Sequence, residues 1–217
     1  MRYMIHACPP RMWYVDEFLI PSMKAQGIQD NEITVWNDTE GKGNLFSCME
    51  SFRTCGERDG STWHIQDDVI ISRDFAKKTR QYDEGIVCGF GCQNFGPYMQ
   101  NTGIVPAAFM WYSFQCIRIP NELAGECAEW FNENIANSTQ HVIKVAEKKH
   151  DDWFFRMFIM ERHPKEHVIN LKPNLVDHID YLIGGTLINK QRNIAINRAK
   201  YFPDPDLVED REKKLMI

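Results

Sequence analysis

Ser61-Thr-Trp-His-Ile-Gln-Asp-Asp-Val-Ile-Ile-Ser72 sets two adjacent carboxylates, Asp67 and Asp68, inside an apolar run that reads as one buried strand over 62–71. An unpaired carboxylate in a core costs on the order of several kcal/mol or is driven to protonate. An acidic pair at the end of a core strand therefore calls for a cation or a donor-rich loop to meet it, and it marks a candidate site. The competing assignment makes the acids caps of the helix over 73–80. Ser72 already supplies that cap, and three strand residues separate the acids from the first helical amides.

Outward from this stretch, strand and helix patterns alternate. A short apolar strand covers 3–7, an amphipathic helix covers 12–24 with Gly27 just beyond, and a second strand covers 32–36 and ends in Asn37-Asp38. A helix over 44–54 follows, then the acid-bearing strand, the helix over 73–80 and a strand over 85–90. Such a βαβαβαβ series predicts an α/β fold: a Rossmann-like, mostly parallel sheet flanked by helices on both faces. Ligands of such sheets bind beyond the carboxyl ends of the strands. Ala7-Cys-Pro-Pro-Arg11, Asn37-Asp38 and Gln66-Asp67-Asp68 all fall at those ends, so three segments can face one crevice. No glycine-rich dinucleotide or P-loop fingerprint follows the first strand, which counts against NAD enzymes and P-loop NTPases.

The 217 residues, 43% of them hydrophobic, suffice for one well-buried core, and no Gly/Ser/Pro-rich linker divides them, so a single domain is expected. No apolar stretch is long enough to span a bilayer. The opening seven residues are too short, and too soon followed by Pro9-Pro10, for a signal peptide; a cytoplasmic protein is the expectation. Seven cysteines without a CxxC pair argue against a disulfide framework and a thiolate zinc site, and Cys88-Gly-Phe-Gly-Cys92 reads as strand and turn. A net charge of −5 lacks the basic field of a duplex-binding protein, although Lys190, Arg192, Arg198 and Lys200 form a local basic patch.

In the second half, Ile117-Arg-Ile-Pro-Asn-Glu-Leu123 leads into a helix through Asn134, and His150-Asp-Asp-Trp153 opens an aromatic helix with a second acidic pair, Asp151 and Asp152. One of these is an ordinary N-cap; the other is available as a base. The segment 168–178 turns at Lys172-Pro173 and ends on His178, ahead of Asp180 and Gly184-Gly185.

The order of these marks resembles the GT-A class of nucleotide-sugar-dependent glycosyltransferases over nearly the whole chain. Gln66-Asp67-Asp68 stands where that family has its DxD-type metal motif, Asp151-Asp152-Trp153 where it has an acidic catalytic motif, and His178 resembles its late histidine. The resemblance implies a nucleotide-sugar-binding half over 1–105, an acceptor and catalytic half over 106–185, and a C-terminal tail over 186–217, in which 188–201 is a candidate lid that orders over the donor diphosphate through Arg192 or Arg198. It implies Asp68 and His178 as ligands of Mn²⁺ or Mg²⁺, with Asp67 beside the donor. It further implies Pro9, Arg11, Asp38 and Gln66 as nucleotide contacts, with Trp36 nearby. Gln66 departs from the family's acid and supplies a hydrogen-bonding amide without charge.

The implied reaction moves a sugar from a nucleoside-diphosphate sugar to a hydroxyl of a saccharide, a protein or a modified nucleobase, with inversion, Asp152 acting as the base and Asp151 beside it. Tyr98 and Asn101, in a loop of aromatic and amide residues, are candidates for sugar contact. Two other classes stay open: a nucleotidyltransferase-like metal-dependent nucleotide enzyme, and a non-catalytic binding protein whose acid pairs only cap helices.

Overall fold

The computed structural model describes residues 1–91, 103–106, 114–137, 151–183, 198–199 and 201–215. Seven strands form one sheet in the order β2-β1-β3-β7-β5-β8-β6: β1 (Tyr3–Ala7), β2 (Ile33–Asn37), β3 (Ser61–Gln66), β5 (Ile86–Cys88), β6 (Gly103–Pro106), β7 (Cys116–Pro120) and β8 (His167–Asn170). β1 pairs parallel with both β2 and β3, and β5 pairs parallel with β8, whereas β7 and β6 run antiparallel to their neighbours. The expected mixed α/β architecture is thus present, and β7 enters between β3 and β5, so the two halves of the chain share one sheet.

Helices cover both faces. On one lie α2 (Asn44–Gly56), α4 (Asn121–Ala136) and α5 (Asp151–Arg162), which bury Leu45, Phe52, Ala124, Trp130, Phe154 and Phe158 against the sheet. On the other lie the helical run α1 (12–25), α3 (Phe75–Thr79) and α6 (Pro205–Leu215), whose core includes Tyr14, Leu19, Phe75, Val87 and Val208. α2 and α4 approach closely through paired glycines: a Cβ on Gly56 would stand 2.6 Å from the Gly125 Cα, so neither position has room for a side chain. Cys48, Cys55, Cys88, Cys116 and Cys127 are buried in the core, while Cys92 lies outside the described residues.

Three local expectations are corrected. First, the single strand over 62–71 is two strands. β3 ends at Gln66, Asp67-Asp68 turn, and Val69–Ile71 form β4, which leaves the main sheet to pair antiparallel with β9 (Val176–His178). In one continuous strand, Asp67 and Asp68 would point to opposite faces, each into an apolar layer; the turn lets both carboxylates meet the same cation. Second, Ser72 does not cap a helix over 73–80. The helix is only Phe75–Thr79, and the Ser72 hydroxyl is 3.2 Å from the Asp74 carboxylate. Ser72 instead donates its amide to the Leu175 carbonyl, closing the β4/β9 ribbon. Third, α1 is not regular: α-helical turns at Met12–Tyr14 and Ile20–Ala25 flank a π turn at Val15–Leu19. Pro21 has no amide to donate within the helix, and the widened turn just ahead of it, closed by Ile20 N–H to the Val15 carbonyl, accommodates that loss.

Candidate functional site

Because β1, β2 and β3 are parallel neighbours, their carboxyl ends lie along one edge of the sheet, and each is followed by a polar segment. After β1, Cys8 leads into a 3-10 turn at Pro9–Arg11, whose prolines hold φ and whose Arg11 amide donates to the Cys8 carbonyl at 2.9 Å. After β3, Asp67 donates its amide to the His6 carbonyl, so the turn stays attached to β1. The β4/β9 ribbon then places His178 opposite Val69, and the Ile179 amide bonds the Asp68 carbonyl at 2.8 Å. Segments far apart in sequence are thereby joined around one acid pair.

The contacts of that pair are specific. Asp67 Oδ2 accepts from the Cys8 amide at 2.9 Å and from its thiol at 3.2 Å, and Asp67 Oδ1 accepts from Arg11 Nη1 at 3.0 Å. The same Nη1 donates to Asp68 Oδ2, which also lies 3.1 Å from His178 Nε2. Behind, His178 Nδ1 is 3.8 Å from Asp180 Oδ1. All of Arg11, Asp67, Asp68, His178 and Asp180 are buried.

Burial pushes the Asp67 carboxyl up and the neighbouring Asp68 charge adds to that, against the pull of Arg11. Burial also opposes the charge on Asp68, but His178 and then Arg11 outweigh it and hold Asp68 well below the usual carboxylate range. Burial opposes protonation of His178 too, yet Asp68 wins and raises it. The Cys8 thiol, pushed up to about 12 by burial and Asp67, stays a neutral donor.

Asp38 lies one loop away. Its amide bonds the Ala7 carbonyl, while its carboxylate accepts from the amides of Lys42 at 2.9 Å and Gly43 at 2.7 Å. It therefore shapes the loop ahead of α2. Pro9 is exposed at the rim, Gln66 is half-buried with its amide on the Gln115 carbonyl, and Trp36 packs partly buried against the core.

The second acid pair opens α5 as expected, but no contact joins it to Arg11 or Asp68 among the described residues. Asp151 is buried and pushed up to about 7 by burial and then by Asp152, against a hydrogen bond from Asn44 at the start of α2. Asp152 is half-buried, and its Oδ1 accepts from the Trp153 amide at 2.8 Å. The structure thus separates the two acids: Asp151 is enclosed beneath α2, and Asp152 is half-exposed. Arg198 is already engaged, with Nε 2.7 Å and Nη2 2.6 Å from the buried Asp177 carboxylate and Nη1 3.0 Å from the Tyr181 hydroxyl. Tyr98, Asn101, Gly184, Gly185, Lys190, Arg192 and Lys200 lie outside the described residues.

No family model matches the sequence, and no curated protein matches it. Among solved structures, the crystal structure of A197 from STIV aligns over 82% of this chain and 86% of that one, at 13% identity and a TM-score of 0.40. A likeness of that size says nothing of function.

The divalent ion implied by the family resemblance finds few free lone pairs here. Both Asp67 oxygens are engaged, Asp68 Oδ2 is shared between Arg11 and His178, and His178 Nε2 is turned to Asp68. Of the four oxygens of the acid pair only Asp68 Oδ1 remains, buried and without a donor. Among the described residues no three His, Cys, Asp or Glu side chains gather as metal ligands, whereas Mg²⁺ demands near-octahedral oxygen coordination. The donor set as arranged does not fit the ion.

Sequence reasoning missed several partners. The segment Ala7-Cys-Pro-Pro-Arg11 is marked by its place at a strand's carboxyl end, but Cys8 had no role assigned within it, and its amide and thiol hold Asp67. His6 and His64, on neighbouring strands, form a ring-to-ring hydrogen bond of 2.9 Å beneath the site, and nothing in their spacing announced it.

Proposed function

We propose that this chain is a glycosyltransferase that moves a sugar from a nucleoside-diphosphate sugar to a hydroxyl acceptor, with inversion. The observation that carries the reading is Asp68 Oδ1, a buried carboxylate oxygen with no hydrogen-bond donor, at the carboxyl edge of a mostly parallel sheet. Buried acceptors are almost always satisfied, and an exception calls for a missing partner. A ribose or sugar hydroxyl supplies one. The sheet supports the reading further, since its switch from β1 outward and its reversed β7 leave the crevice at the ends of β1, β2 and β3.

In this reading the turn after β1 and the loop shaped by Asp38 receive the nucleotide, and Asp68 orients a hydroxyl of the donor. Asp152, half-exposed at the start of α5, takes the proton of the attacking acceptor hydroxyl as it approaches the anomeric carbon from the face opposite the leaving diphosphate. Base assistance of this kind is worth roughly 10²- to 10⁴-fold. Acceptor saccharides, proteins and modified nucleobases are all hydroxyl-bearing candidates. No helix among the described residues is long and apolar enough to cross a membrane.

A second reading, nucleotide binding without turnover, is favoured by one observation: Arg11 already satisfies much of the acid pair from within the chain. A panel of nucleotide sugars and nucleoside triphosphates, read both as melting-temperature shift and as donor hydrolysis, separates the two. Hydrolysis of one nucleotide sugar that is lost in Asp68→Ala supports transfer; stabilisation by a nucleotide without hydrolysis supports binding alone; preference for triphosphates points to a nucleotidyltransferase; no shift with any nucleotide removes the proposal.

A further inference from the structure

We propose that Arg11 is the resident cation of the Asp67-Asp68 pair, standing where a divalent ion would otherwise be held, so that the nucleotide site is complete without metal. The inference deepens the nucleotide-sugar reading and rests on it for the identity of the ligand, while the place of Arg11 is a matter of geometry alone.

A single guanidinium nitrogen bridges the two carboxylates: Nη1 is 3.0 Å from Asp67 Oδ1 and in direct contact with Asp68 Oδ2. The side chains of Arg11, Asp67 and Asp68 are 7%, 6% and 8% exposed, so little water reaches the cluster to take over either charge. Arg11 is also preorganised. It ends the 3-10 turn begun by Pro9 and Pro10, and Cys8, at the head of that turn, bonds Asp67 through its amide. The turn that delivers the cation and the turn that delivers the acids are thus tied to each other. A hydrated divalent ion entering here would have to break charge-assisted hydrogen bonds and leave a buried guanidinium stripped of its carboxylates, which is among the costlier changes a protein interior can undergo. The exchange gains little, since of the four carboxylate oxygens Asp68 Oδ1 alone is spare. Without the guanidinium, in contrast, two adjacent buried carboxylates and His178 Nε2 would be left facing one space, a donor set of the oxygen and nitrogen kind that Mn²⁺ accepts.

The test is a titration of the purified full chain with MnCl₂ alone, following free Mn²⁺ by its electron paramagnetic resonance signal, alongside melting temperatures in MnCl₂ and in EDTA. Wild type is expected to leave Mn²⁺ free and to melt at the same temperature in both. Arg11→Gln is expected to take up Mn²⁺ and to melt roughly 5–10 °C higher when the ion is at a hundredfold excess over its Kd. Adding Asp68→Asn should abolish that uptake, and Arg11→Lys, which keeps a cation, should not show it. Stoichiometric, Asp68-dependent uptake by wild type overturns the proposal, as does a folded Arg11→Gln that takes up no Mn²⁺. If Arg11→Gln does not fold, the wild-type titration and the Arg11→Lys titration still decide. None of these readouts needs turnover, so a failed donor panel with these results removes the glycosyltransferase reading and leaves Arg11 in place.

Discussion

Acid should loosen this protein from beneath the site, through a pair of histidines that no motif reveals. His64 is fully buried on β3, with the Phe52 ring 4.9 Å away, and its Nδ1 meets His6 Nε2 on the neighbouring β1. In the neutral pair one ring donates and the other accepts; a proton on both would set N–H against N–H. Burial lowers His6 to about 4, for although a little of its surface stays accessible the ring is enclosed by protein. Burial, then the nearby His6, lowers His64 well below its ordinary value. Both shifts have one sign: between pH 6.5 and about 4 the unfolded chain binds more protons than the folded one. The contribution to stability is therefore complete above pH 6.5 and is lost as pH falls through that window. For His6 alone the displacement corresponds to ~3 kcal/mol. Asp151, pushed up to about 7, tilts stability the opposite way over much of the same range, so the quantity to measure is a difference between proteins. Urea unfolding of wild type and His6→Gln at intervals from pH 7.5 to 4 should show the variant losing roughly 3 kcal/mol less than wild type. Curves that stay parallel within about 0.5 kcal/mol would refute the assignment of the buried pair as the acid-sensitive element. Since the His6 carbonyl holds the Asp67 amide, nucleotide-induced stabilisation should fade over the same window.

Other consequences can be checked independently. Asp152→Asn should lower turnover by about 10²- to 10⁴-fold while leaving nucleotide-induced stabilisation nearly intact; unchanged turnover removes Asp152 from the mechanism. Asp151→Asn should gain stability over wild type as pH rises from 5 to 8, because wild type alone must then ionise a buried carboxyl; urea midpoints at the two pH values decide it. Gly56→Ala should cost about 1–3 kcal/mol in thermal unfolding, because the new Cβ meets backbone across the α2/α4 crossing. Asp177→Ala should cost about 3 kcal/mol and quicken proteolysis near Ala199, since the Asp177 carboxylate holds both the Arg198 guanidinium and the Ala199 amide behind His178.

Local pattern was enough to place α2, α4 and α5 and the strands β1, β2 and β5, because apolar spacing along them reports directly which face is buried; it left α6 and β6 unmarked. It also marked the Asp67-Asp68 pair, since charge inside an apolar run is conspicuous without any coordinates. Composition alone set the scale of one hydrophobic core and the absence of a long apolar span.

What holds that pair belongs to the fold. The strand break at Asp67 depends on β4 finding β9 more than a hundred residues away, a pairing that leaves no local trace. Arg11 stands 56 residues from Asp67 and 57 from Asp68, and only the parallel register of β1 with β3 brings its turn beside them. Whether a buried carboxylate meets a metal, a guanidinium or a ligand hydroxyl is an electrostatic competition settled at a few ångströms. Sequence exposes the cost of burying the charge; the tertiary structure alone chooses the cation that offsets it.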